Sequence, residues 1–146
     1  MSLPLTQLTL SQAGESVRRR DVTSVALTEA ALDRAETVQP ALNCFLRIDR
    51  EPAIKAADRA DAEIAAGNWR GPLHGVPLAH KDVFNREGYV ATAGTILFET
   101  PATSRATVME RFDEAGGIYI GALNLDEFAA GGTGAAGGTW WSAQKC

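Results

Sequence analysis

The sequence predicts an α/β fold, and three observations carry that reading. A helical stretch at Thr107–Ala115 closes on Gly116-Gly117 and is followed at once by the apolar strand Ile118–Leu123. A Gly/Pro-rich loop, Trp69–Pro77, delivers a second strand-like run, Leu78–Phe84. Between helices lies a third short apolar run, Asn43–Ile48.

The N-terminal third is helical. Residues Leu8–Arg20 are helix-compatible without a strong pattern. Asp21–Ser24 breaks the chain, with Thr23 or Ser24 as the next N-cap. Val25, Leu27, Ala31, Leu32, Ala35 and Val38 then keep helical spacing up to Gln39-Pro40. These two helices are expected to form a peripheral layer. A further helix spans Pro52–Ala66, with Pro52 in its first turn and Gly67 after its end. Ala56, Ala60 and Ile64 share one face; Lys55, Asp58, Arg59, Asp61 and Glu63 are left for solvent. Asn85–Gly88 reads as a turn and Ala91–Thr95 as a loop of small residues.

Composition narrows the class of protein. With 45% hydrophobic and 22% charged residues in 146, one packed domain is expected and disorder is not. The net charge of −4, with Arg18-Arg19-Arg20 as the one basic run, argues against nucleic acid as a partner. Cys44 and Cys146 make no disulfide framework, and His74 and His80 lack a third ligand for a metal. Cys44 reads as a small buried hydrophobe. No apolar window reaches membrane-span length and no leader pattern opens the chain, so a cytoplasmic protein without a membrane partner is expected.

Lys81 is the residue with most chemical potential. It lies in an apolar run after a loop of constrained shape. Lost hydration would lower its pKa, and a neutral amine can serve as a general base. The plainer reading is a strand-end lysine paired with Asp82 or another carboxylate. His74 is expected to face solvent. His80, if it faces the core, needs a hydrogen-bond partner and is not read as a base.

Five segments match one known family in order and spacing. Gly71-Pro72-Leu73-His74-Gly75-Val76-Pro77-Leu78-Ala79-His80-Lys81-Asp82 resembles the block G-P-L-x-G-[VI]-P-[IL]-x-[VI]-K-D of the amidase-signature family. Ala91-Thr92-Ala93-Gly94-Thr95 is similar to its T-T-A-G-S segment, and Ala106–Gly117 to its A-x-V-V-x-x-L-x-x-A-G-A helix. Leu123-Asn124-Leu125-Asp126-Glu127-Phe128-Ala129 resembles T-N-M-D-E-F-A, and Gln39–Phe45 resembles N-P-x-[LI]-N-A-F. The likeness runs from about Leu8 to Thr133.

The resemblance implies hydrolysis of a small-molecule carboxamide by a Ser–cis-Ser–Lys triad through an acyl-enzyme, with no cofactor and no metal. Lys81 matches the catalytic lysine. Thr92 and Thr95 would line a substrate cleft or cap turns. Asn124, Asp126 and Glu127 would brace the lysine strand, and Gly131-Gly132-Thr133 would open the loop leading to the serines. A close alternative is the A subunit of the glutamyl-tRNA(Gln) amidotransferase, which shares these blocks. The family's fold is a large mixed sheet covered by helices, of which residues 1–134 would be the N-terminal portion. Residues 135–146 depart from the pattern. Ala135-Ala136 stands where Glu-Asn is expected, and no G-G-S-S-G-G-S segment follows. Ser142, between Trp141 and Ala143, is not assigned as nucleophile. The change of text suits a truncated or frame-shifted reading frame, or a fragment. Such a chain is expected to be inactive alone, a remnant or interaction module. Uncovered apolar faces predict self-association or a homo-oligomer.

Overall fold

A computed structural model describes residues 4–131. Helices α1 (Leu10–Arg19) and α2 (Ser24–Leu42) lead into strand β1 (Phe45–Ile48). Then come α3 (Arg50–Ala65), β2 (Pro77–Lys81), α4 (Thr107–Glu114) and β3 (Ile118–Leu123). The fold is α/β, as the sequence predicts. β3 is central in the order β1-β3-β2, antiparallel to β1 and parallel to β2, so the sheet is mixed.

Local chemistry sets the boundaries. α1 starts on a capping box: Thr9 Oγ1 accepts from Gln12 N–H, and Thr9 N–H donates to Gln12 Oε1 at 2.8 Å. α2 is capped by Thr23, and the Asp61 carboxylate also accepts from Ser24 N–H (2.7 Å) and Val25 N–H (3.1 Å). A negative charge there complements the helix N-terminus, so Asp61 is a tertiary cap, not a solvent-facing group. α2 runs through Pro40, beyond the expected end, and stops at Asn43 in the left-handed region (φ +47°). Gln39 then replaces lost backbone bonds. Its amide accepts from Phe45 N–H at 2.9 Å and donates to Phe45 O at 2.7 Å. α3 begins two residues before Pro52; a residue in the first turn has no intrahelical N–H bond to lose.

Ala53, Ala57, Ala60 and Ile64 recur at helical spacing along α3 and are buried. The first three pack with Leu32 of α2 and with Ile118 and Ile120 of β3, and Phe45, Ile48 and Ala79 close the cluster. A second cluster joins Ala13 and Val17 of α1 to Leu27, Ile64 and Val76. α2 serves both clusters, so it is part of the core and not a peripheral layer. The small alanine faces let α3 approach the sheet closely. Cys44 is half-buried, not a core hydrophobe. Among the described residues no helix is long and apolar enough to cross a membrane.

Candidate active site at the end of β2

Lys81 is the last residue of β2, in register with Leu123 at the end of β3. Its side chain is exposed, which corrects the expectation of a desolvated amine; the described residues place no wall around it. It forms no ion pair with a described residue, so the plainer expectation of a Lys81–Asp82 pair also fails. Asp82 explains why the strand stops three residues early. Its backbone N–H donates to Leu123 O at 3.1 Å, and its carboxylate turns inward to 2% exposure.

There Asp82 gathers the neighbouring loops. Oδ2 accepts from Thr92 N–H at 2.9 Å and from Thr92 Oγ1 at 2.6 Å, while Ala93 N–H donates to Asp82 O at 2.9 Å. Phe128 N–H in turn donates to Ala93 O at 2.7 Å. Gly94 (φ +74°) lies where a Cβ would stand 3.0 Å from Leu125 O, which holds the 92–95 loop against the 124–131 segment. Thr92 therefore braces Asp82. Thr95, 3% exposed, accepts from Leu97 N–H at 3.3 Å and caps a turn.

Asn124 ties the end of β3 to the start of β1. Its amide donates to Asn43 O at 3.2 Å, its N–H donates to Cys44 O at 2.8 Å, and its Oδ1 accepts from Leu125 N–H at 2.9 Å. Asp126 precedes a short 3-10 turn at Glu127–Ala129. Gly131 approaches so close that a Cβ there would meet Asp126 Cγ at 2.8 Å. Glu127 is exposed. Gly132, Thr133, Ser142 and the tail 135–146 lie outside the described residues. Lys81, Thr92, Thr95, Asn124, Asp126 and Gly131 thus share one end of the sheet. The organising carboxylate, Asp82, enters the sequence reading only as a partner for Lys81; the signal for its bracing role is a threonine ten residues on.

The two histidines behave unlike solvent groups. His74 is 1% exposed, correcting the expectation of a solvent-facing ring. Its Nδ1 accepts from Arg70 N–H at 3.2 Å and its Nε2 lies 3.2 Å from Glu63. Burial pushes its pKa down, Arg70 adds to that, and Glu63 opposes it. His80 lies next to Lys81 on the opposite sheet face, edge-on to Tyr119 at 5.7 Å. Its Nδ1–H donates to Lys81 O at 3.2 Å. Burial lowers its pKa most; the Lys81 carbonyl opposes this, and Arg86 and Arg47 reinforce it. Ile96, Leu97, Phe98 and Phe128 form an exposed apolar patch, with Phe98 edge-on to Phe128 at 5.9 Å.

A mixed sheet with helices packed on it and loops gathered beside the end of β2 defines an α/β fold of the amidase-signature kind. The native peptide amidase of Stenotrophomonas maltophilia superposes with a TM-score of 0.79 at 28% identity, over 87% of this chain and 26% of that one. A second solved amidase gives a TM-score of 0.77 at 35% identity, over 85% and 28%. The chain belongs to the Amidase family, whose profile matches residues 26–139. It is 46% identical over 123 residues to the A subunit of the glutamyl-tRNA(Gln) amidotransferase of Azoarcus sp., covering 84% of this chain. It is 44% identical over 128 residues to the corresponding protein of Roseiflexus sp.. The chain spans about a quarter of the length of these relatives, 25% and 26%.

Proposed function

We propose that this chain is the lysine-bearing portion of an amide-cleaving enzyme, in which Lys81 takes the proton relayed from a bridging serine while a second serine attacks the carbonyl. One observation carries the reading: Lys81 ends β2 with an unpaired, accessible amine, and Asp82 holds the 92–95 and 124–131 segments around that strand end. An amine free of a carboxylate partner is available to accept a proton once further chain covers it. Backbone N–H groups of the Gly/Ser-rich loop that the family carries beyond these blocks would supply the oxyanion site. Without those serines the chain alone turns over no amide. Thr92, Asn124, Asp126, Gly131, Gly132 and Thr133 support the lysine strand or approach the substrate, and the protein works in the cytoplasm. The exposed Ile96–Phe98 and Phe128 patch supports self-association of the isolated chain.

The test joins residues 1–131 to the remaining sequence of the Azoarcus relative. A fluorophosphonate probe should then label one serine, and Lys81→Gln should abolish labelling and lower kcat by about 10³-fold or more. Unchanged labelling in Lys81→Gln would sink the reading. The unextended chain should show neither labelling nor turnover.

A second reading has its own support. The curated relatives named as the A subunit of the glutamyl-tRNA(Gln) amidotransferase reach 46% identity, against 35% for the solved amidase. On that reading the amide is glutamine's and the nitrogen goes to a glutamyl-tRNA. Turnover of glutamine over simple aliphatic amides in the joined protein would select it.

A further inference from the structure

β1 leaves the sheet early. Its last bond to β3 is Asp49 N–H to Ile120 O at 2.9 Å, and α3 begins at the next residue. Ile118 and Tyr119 therefore have no strand on that side among the described residues. A cleft of about 200 Å³ occupies the notch, and its lining includes Ala56, Arg59 and Ala60 of α3 together with Arg86 and Ile118. It lies at the opposite end of β3 from the Lys81 register position, five residues and roughly 16 Å away.

Charge in the notch is not balanced locally. Glu63 is taken by Arg70 at 2.6 Å, and Asp113 by Arg105 at 2.8 Å. Asp49 is taken by Arg47 at 2.7 Å, which leaves Arg86 only a long 3.5 Å approach to the same carboxylate. Arg59 has no carboxylate partner among the described residues. Two guanidiniums thus keep unspent N–H donors in a mainly polar cleft, whose apolar share comes from Ala56, Ala60 and Ile118. Arg86 is also held in place, its Cζ lying 4.6 Å from the Tyr89 ring and 4.7 Å from the Tyr119 ring. A guanidinium fixed by stacking loses little freedom on binding, and its fork matches a carboxylate in two bonds.

We propose that this notch binds a small organic acid anion, its carboxylate on Arg59 and Arg86 and its short aliphatic body against Ala56, Ala60 and Ile118. The volume supports a small acid, since sites for drug-sized ligands begin near ~300 Å³. The site is independent of the Lys81 chemistry.

The test is a 15N-NMR titration of the 146-residue chain with sodium butyrate at constant ionic strength, with sodium chloride and sodium phosphate as parallel arms. Butyrate should give saturable shifts at Ala56, Ala60 and Ile118 with a millimolar Kd. Arg59→Gln should weaken it at least tenfold, and Arg59→Lys less, because a point charge keeps attraction without the fork. If Arg59→Gln does not fold, Arg59→Met is read instead. Equal, non-saturating shifts with chloride would reduce the notch to an ionic-strength effect and overturn the proposal. Saturation by phosphate but not butyrate would overturn it too, as would an unchanged Kd in the Arg59 variants.

Discussion

Thr92 donates both its backbone N–H, at 2.9 Å, and its hydroxyl, at 2.6 Å, to a single oxygen of the buried Asp82. Removing the acceptor leaves two half-buried donors without a partner at the point where two loops meet the strand end. Asp82→Ala should therefore cost about 2–4 kcal/mol, since bonds to charged groups contribute roughly 1.5–3 kcal/mol and orphaned donors add to the loss. Thr92→Val removes only the hydroxyl and should cost about 1–2 kcal/mol. Urea denaturation of the single and double variants measures the coupling. Strictly additive losses would show that the two residues act separately.

Gly14 makes an unusual prediction. In the interior of a helix, glycine to alanine normally stabilises by about 0.5–1 kcal/mol. Here α1 lies so close to the 69–77 loop that a Cβ on Gly14 would stand 2.2 Å from Pro72 O. The obstacle is backbone and cannot rotate away. Gly14→Ala should destabilise by about 1–3 kcal/mol, as overpacking does, and should loosen the loop that leads into Lys81. A higher Tm for this variant would contradict the packing of α1.

The sequence made the element order legible because each helix carries its own period and each strand its own apolar run. It was less informative wherever a side chain distant in sequence decided the outcome. α2 continues through Pro40 because Gln39 satisfies the Phe45 backbone, and no propensity scale contains that exchange. β2 ends at Lys81 because Asp82 is drawn inward by Thr92, although Val83-Phe84 prolong the apolar pattern. The capping box of α1 was readable in Thr9-Leu10-Ser11-Gln12 and would have strengthened that helix. At the site, the apolar run Leu78–Phe84 put Lys81 inside a strand, whereas it is the strand's last residue, and its exposure depends on what lies over the strand. Periodicity says nothing of that. His74 was misjudged for a related reason: a Gly/Pro-rich loop looks solvated, yet this one folds inward under Glu63 and Gly116.

Acid should destabilise the chain through its histidines. His74 and His80 are both buried, and both have pKa values held below the usual 6.5 by loss of hydration. In the window below pH 6.5 the unfolded chain binds protons that the folded chain refuses. Stability is therefore fully present above that pH and falls as pH drops toward the depressed folded values. His80→Leu should flatten part of this dependence. It removes the titrating ring where the family usually has an apolar side chain. Urea midpoints at about pH 7.5, 6.5 and 5.5 read the effect. A parallel dependence in wild type and His80→Leu would exclude His80 as a contributor.

Lys81 separates stability from chemistry. Its side chain is exposed and has no ion-pair partner among the described residues, so Lys81→Gln breaks no ion pair among them. Surface changes of that kind usually shift stability by no more than about 0.5 kcal/mol. The same substitution in the joined, full-length protein should abolish turnover. That combination distinguishes a reacting amine from a lysine that holds the fold together. A structural lysine would show the reverse, with a lower urea midpoint in the short chain and residual activity in the long one. Measuring both proteins with one variant decides between them, because folding of the short chain does not depend on the serines and turnover of the long one does.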